Sequence, residues 1–227
     1  MDDLGAAHDQ KRKIYMLGGG NPARIPEVQE FLRSCLEEAL LQPQKFDELI
    51  GSYDAPEGNA KFIEAIASLL HNECGWPVGC ENIAVTNGSQ SSFFTLFNLF
   101  AGQCPDGSQR RILLPLTPEY IGYGDIGLGQ ELFYSRRPSI EIRGQYEFKY
   151  HVDFDNLNIQ KDTGAICISR PTNPTGNVVT DEEILRLREI AADRDIPLII
   201  DGAYGAPFPN IIFTAVSYTH LKLPTNA

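Results

Sequence analysis

The residues able to do chemistry sit in short segments that follow apolar runs. Asn87-Gly88-Ser89-Gln90 comes after Ile83-Ala84-Val85 and leads into a helix-forming stretch that reaches Phe100. A helix start offers unpaired amides and the positive end of a dipole, and Ser89 adds a hydroxyl, so Ser89 and Gln90 form a candidate phosphate seat. Taken alone, the segment is equally a plain βα turn with a serine cap. Pro118-Glu119-Tyr120 presents an aromatic ring, with Tyr123 three residues on. Tyr120 could stack on a flat ligand ring, or simply lie half buried in a loop. In Arg170-Pro171-Thr172-Asn173-Pro174-Thr175-Gly176-Asn177, the Asn-Pro and Thr-Gly pairs dictate tight turns. Those turns would hold the Asn173 amide rigidly, and turn chemistry by itself would need no function. Asp201 stands directly behind an apolar run, with Tyr204 three residues later. A carboxylate there must cap a backbone group or pair with a cation, because an unpaired buried charge is costly.

Each segment alone is satisfied by ordinary local chemistry. Together, a phosphate seat, a ring-stacking tyrosine, a fixed amide and an aspartate able to face a pyridinium nitrogen meet the requirements of one ligand, pyridoxal phosphate.

The elements that must position these residues are legible as hydrophobic periodicities. Val28, Phe31, Leu32, Cys35, Leu36, Ala39 and Leu40 recur three and four apart, predicting an amphipathic helix over 27–41. A second helix is expected over about 58–72, with Phe62, Ile63, Ile66, Leu69 and Leu70 on one stripe. Short apolar runs at 83–85, 111–115, 130–135, 165–169 and 197–200 read as buried strands. A helix over 181–194 opens with Thr180-Asp181-Glu182-Glu183, a capping box with acids at the positive end of the dipole. Strands alternating with helices predict an α/β fold with a doubly wound, mostly parallel sheet. Ligands bind such sheets at the carboxyl ends of the strands, where the segments above fall.

Composition excludes several classes. Of 227 residues, 19 are Lys or Arg and 30 are Asp or Glu, a formal net charge of −11. Nucleic acid and anionic membrane are poor partners for such a surface. The most apolar stretch, 93–101, is far shorter than the roughly 20 residues that span a bilayer. No secretory signal pattern opens the chain, and the five cysteines include no Cys-x-x-Cys pair, so a cytoplasmic protein with reduced thiols is expected. The four histidines show no metal-ligand spacing. Gly18-Gly19-Gly20 is followed by Asn21-Pro22 and not by a helix start, so it fails as a dinucleotide fingerprint.

The ordered set Tyr53-Asp54-Ala55-Pro56, Asn87-Gly88-Ser89-Gln90, Pro118-Glu119-Tyr120, Asn173-Pro174-Thr175-Gly176 and Asp201-Gly202-Ala203-Tyr204 resembles the fold-type-I aminotransferases over about residues 14–213. Leu17 to Ala23, Phe97 to Gly102 and Phe148 to Phe154 are most similar to the subgroup that exchanges an amino group between valine and pyruvate. The resemblance implies a pyridoxal 5'-phosphate enzyme acting on an amino acid and a 2-oxo acid, as a homodimer. It implies that Ser89 and Gln90 hold the cofactor phosphate, that Tyr120 stacks on the ring, and that Asn173 and Tyr204 bond its phenolic oxygen. Asp201 would face the ring nitrogen, Tyr53 would reach the phosphate in the neighbouring subunit, and Gly20 would lie beside the substrate carboxylate. The domains implied are residues 1–50 as the N-terminal helical segment of the small domain, 51–213 as an incomplete large domain, and 214–227 as a tail outside the family pattern.

The family places its Schiff-base lysine after a further strand, in a Ser-x-Ser-Lys context. Only Lys222 follows Asp201, in Thr219-His220-Leu221-Lys222, and it is not expected to serve. No acid occurs after Asp201, and 216–227 resembles translated sequencing adaptor, so the chain reads as the first part of a longer enzyme, inactive in this form. The alternatives are a non-catalytic binder of a phosphorylated ligand, or another pyridoxal phosphate reaction such as a β-lyase.

Overall fold

Among the described residues, proline opens each of the first two helices, α1 (Pro26–Leu40) and α2 (Pro43–Gly51). A proline at a helix start gives up only an amide that has no intrahelical partner. In the computed structural model, residues 24–205 are described. They fall into two compact units that divide between Asp54 and Ala55. In the first unit neither helix buries a residue, and Phe31, Leu32, Leu36, Leu49 and Ile50 are exposed. The periodicity predicted α1 well; α2 was not foreseen, because nine residues give too short a window for a 3.6 period to stand out.

The second unit begins with α3 (Ala60–Cys74), capped by the Asn59 side chain, which accepts from the Phe62 amide at 3.2 Å. It ends on Gly75 in the left-handed region. Next come α4 (Ser89–Phe100), β1 (Gly102–Gln103) and β2 (Gln109–Leu114). They are followed by β3 (Phe133–Ser135), the hairpin strands β4 (Ser139–Arg143) and β5 (Glu147–His151), β6 (Thr163–Ser169), α5 (Asp181–Asp193) and β7 (Leu198–Asp201). The main sheet runs β1-β2-β6-β7, with β3 also pairing β2. Pairings β2–β3, β2–β6 and β6–β7 are parallel, and among the described strands of this sheet β1 alone is antiparallel.

Alternation along the central strands builds two cores. Leu113, Ile166 and Ile168 pack against Ile184, Leu187 and Ala191 of α5. Ile112, Ala165 and Cys167 pack against Phe93 and Phe97 of α4 and against Ala101 just beyond its end. With a helix on each face, every residue of β6 is buried, which is why it reads as an unbroken apolar run. Gly164 is required here, since a Cβ would stand 1.8 Å from the Phe100 carbonyl oxygen at the end of α4. Thr180 and Glu183 form the reciprocal capping box predicted for α5.

Two strand expectations change. Ile83–Val85 is not a strand: no strand runs beside it among the described residues, and the Val85 amide donates instead to the Glu57 carbonyl at 2.7 Å. β3 is shorter than 130–135 because Glu131 adopts a positive φ of 57°, which interrupts extended backbone. The β4–β5 hairpin was not foreseen. It lies against the loop before α5 through Lys149 Nζ on the Val178 carbonyl (2.5 Å) and the Tyr150 amide on Asn177 Oδ1 (3.3 Å).

Candidate active site

At the carboxyl ends of the parallel strands lies a pocket of about 140 Å³, lined by Ser89, Gln90, Tyr120, Asn173, Asp201 and Tyr204 together with Phe93, Tyr123, Ser169, Pro171 and Ala203. Six residues singled out from the sequence therefore meet in one place. Tyr53 belongs to the other unit, and its side chain is fully exposed. Gly20 and Lys222 lie outside the described residues.

The candidate phosphate seat is built on Gly88. Its φ of 118° is open to glycine and strained for other residues, and it occupies the cap position of α4 with no side-chain hydrogen bond. Ser89 is therefore the first helical residue and not the cap, which leaves its hydroxyl beside the helix's leading amides. The Gln90 amide nitrogen reaches the Tyr120 hydroxyl at 3.4 Å. Gly122 permits this approach, because a Cβ there would come within 2.4 Å of the Tyr120 ring and 2.7 Å of Gln90 Nε2.

The floor is the end of β7. Asp201 is 9% exposed and lies opposite Ser169 in the β6–β7 register. Its Oδ2 accepts from the Tyr123 hydroxyl at 2.5 Å and its Oδ1 from the Ala203 amide at 3.0 Å, while its carbonyl accepts from the Arg170 amide at 2.8 Å. Among the described residues no Lys, Arg or His forms an ion pair with this carboxylate. Tyr123 is buried, and burial, helped by the nearby Cys167 and Asp201, pushes its phenol far above the ordinary range, so the hydroxyl stays a donor. Burial likewise raises the Cys167 thiol, with Glu119 and Asp201 adding to the effect, so it remains neutral.

One wall is the loop after β6, where the Asn173 amide donates to the Tyr204 hydroxyl at 3.2 Å. Opposite it the half-buried Tyr120 ring meets Tyr123 edge-on, with centroids 5.6 Å apart at 86°. The loop itself is anchored by the buried Arg170, whose guanidinium donates to Asp181 Oδ1 at 2.5 Å.

Tyr123 is the floor residue to which sequence reasoning gave no role. Its spacing of three from Tyr120 was the available signal, since within a helical turn that spacing returns a side chain to the same side. Its neighbours in space are Phe93 and Phe97, with ring centroids 5.1 and 5.2 Å away.

The model of the aminotransferase class I and II family matches residues 35–220 of this chain. The chain is 53% identical to the valine–pyruvate aminotransferase of Escherichia coli (strain K12) over 199 residues, 88% of this chain and 48% of that protein. Among solved structures, the valine–pyruvate aminotransferase of Salmonella typhimurium LT2 superposes with a TM-score of 0.72 at 50% identity, covering 86% of this chain and 47% of its own. A structure from Psychrobacter arcticum 273-4, described as an amino-acid aminotransferase, gives 0.80 at 43% identity, covering 94% and 53%. The chain thus spans about half the length of these relatives. Pyridoxal phosphate is the cofactor of the family whose model it matches. From its sequence, its fold and these matches alike, the chain belongs to the class I and II aminotransferases.

Proposed function

We propose that this chain is the cofactor-binding part of a pyridoxal 5'-phosphate aminotransferase that moves an amino group between valine and pyruvate, giving 2-oxoisovalerate and alanine. The observation that carries the reading is Asp201, a carboxylate at a pocket floor, held by two donors and lacking a cation among the described residues. A protonated pyridine nitrogen supplies that missing cation.

The donor set fits the rest of the cofactor. Ser89, Gln90 and the leading amides of α4 would take the phosphate. Tyr120 would cover one ring face, while the Asn173 amide and Tyr204 hydroxyl, already 3.2 Å apart, would share the phenolic oxygen. When bound, the cofactor supplies an electron sink for the substrate's amino carbon. Asp201 would keep the ring nitrogen protonated, and the Tyr123 hydroxyl holds the Asp201 carboxylate in place. Tyr53 would act across a homodimer, and Gly20 would lie beside the substrate carboxylate. The lysine of the family, Lys222 being unsuited, is proposed to come from polypeptide beyond these 227 residues, in a cytoplasmic enzyme.

Equilibrium dialysis of pyridoxal 5'-phosphate against the chain tests the site. Saturable binding that Asp201→Ala weakens by about a hundredfold is expected for a charge-assisted contact. Binding indifferent to Asp201 contradicts the reading. Sequencing the source gene through codon 214, then assaying its complete product for alanine formation from valine and pyruvate, tests the activity.

A further inference from the structure

Glu119 does not line the pocket; it lies behind the Tyr120 loop, bordering a second cavity with Tyr134 and Ser135. Its carboxylate is nevertheless committed at two points to the end of β6. Oε1 accepts the Ser169 backbone amide at 3.0 Å, and Oε2 accepts the Ser169 hydroxyl. Ser169 in turn stands opposite Asp201 in the parallel register, and the next amide, Arg170, donates to the Asp201 carbonyl at 2.8 Å. The Ser169 carbonyl also accepts the Thr172 hydroxyl at 3.0 Å, one residue before Asn173. One side chain thus ties the segment carrying Tyr120 to the strand end that fixes Asp201 and to the start of the Asn173 loop.

We propose that Glu119 is a positioning residue of the cofactor site, holding the ring-stacking tyrosine and the ring-nitrogen aspartate at a fixed separation by clamping Ser169. Its neighbour in sequence supplies the face of the ring and its partner in space supplies the floor. A ring that must touch both gains affinity from a frame set before it arrives. The titratable groups around the clamp are Asp201 on β7, Cys167 on β6 and Tyr123 in the turn after Tyr120. Burial raises the Glu119 carboxyl, while the Ser169 hydroxyl and the backbone amides of Ser169 and Tyr120 draw it back down. A neutral amide of the same shape can take over both hydrogen bonds: Gln accepts the Ser169 amide through its oxygen and donates to the Ser169 hydroxyl through its nitrogen.

The inference rests on the cofactor site proposed above, and its test separates the two. Pyridoxal 5'-phosphate is titrated onto the 227-residue chain and its Glu119→Ala, Glu119→Gln and Ser169→Ala variants, with amide hydrogen exchange at Ser169 and Arg170 followed in the ligand-free proteins. Glu119→Ala is expected to lose about tenfold in affinity and to exchange faster at both amides, while Glu119→Gln stays within about threefold of the parent. Ser169→Ala should cost less in the Glu119→Ala background than alone, because the two side chains act as one unit. If Glu119→Ala fails to fold, rescue by Gln and the loss in Ser169→Ala still decide the matter. Wild-type affinity and exchange in Glu119→Ala, or equal losses in Ala and Gln, overturn the clamp. Absence of binding by the parent chain overturns the cofactor reading instead, and the exchange comparison then judges the clamp alone.

Discussion

The floor and the rim of the pocket are built differently. Asp201 and Ser169 are buried at paired strand ends, and the Asp201 carboxylate is fixed by donors at 2.5 and 3.0 Å. Gln90 with Tyr120, and Asn173 with Tyr204, meet through single contacts of 3.4 and 3.2 Å on an exposed surface. The floor is thus part of the folding core, whereas the rim is positioned by turns and, in the proposed function, would gain its remaining partners from a ligand. Electrostatics that must not reorganise are placed in the sheet, and groups that must admit a ligand are placed on loops.

Substitutions can break this contrast. The largest effect is expected beneath the floor: Leu187→Ala, in the core under β6, should destabilise by about 2–5 kcal/mol, read from urea midpoints. Next, Asp201→Ala should lower both cofactor affinity and stability, because it also strands the buried Tyr123 hydroxyl at a cost of about 1–3 kcal/mol. Tyr123→Phe should lose about tenfold in affinity with roughly 1 kcal/mol of stability. Smallest, Asn173→Ala and Tyr204→Phe should weaken binding by about threefold to tenfold and leave the melting temperature unchanged. A rim substitution that melts the protein, or a floor substitution that spares it, would remove the distinction.

Acid titration sharpens it further, because two carboxylates run in opposite directions. Burial raises Glu119 above its ordinary 4.5, so the folded state favours its protonated form; that stabilisation is full at low pH and fades as pH rises through the raised value. Glu141, on the exposed hairpin, is lowered to about 2, chiefly by the Arg143 and His151 hydrogen bonds. Its contribution is present above 4.5 and fades as pH falls toward 2. Glu119→Gln should flatten the stability profile above pH 4.5, and Glu141→Gln should flatten it below, in urea melts across the acid range.

Much of this was legible in the sequence where a local rule governs. The stripe of α1, the capping box of α5 and the apolar runs of β2, β6 and β7 follow from period and punctuation alone, although only β6 is buried along its whole length. Asp201 and Asn173 were visible because they follow such runs at strand ends. What stayed hidden depends on distant partners. Ile83–Val85 looks like a strand but has no neighbouring strand to bond among the described residues. The hairpin β4–β5 leaves Ile140, Ile142 and Phe148 exposed while Tyr150 packs against the core, so its apolar positions do not mark its inward face. Tyr123 and Glu119 gain their meaning from residues 78 and 50 positions away, which no spacing rule connects.

In the proposed site, Asp201 would face a protonated pyridine nitrogen. The most direct measurement is the ring-nitrogen resonance of ¹⁵N-labelled pyridoxal 5'-phosphate bound to the chain, followed across pH in the parent and in Asp201→Ala. A nitrogen that stays protonated in the parent to a higher pH than in free cofactor, and loses that protection in the variant, is the predicted result. Bound cofactor whose nitrogen titrates as it does in solution, or identically in both proteins, would contradict the account.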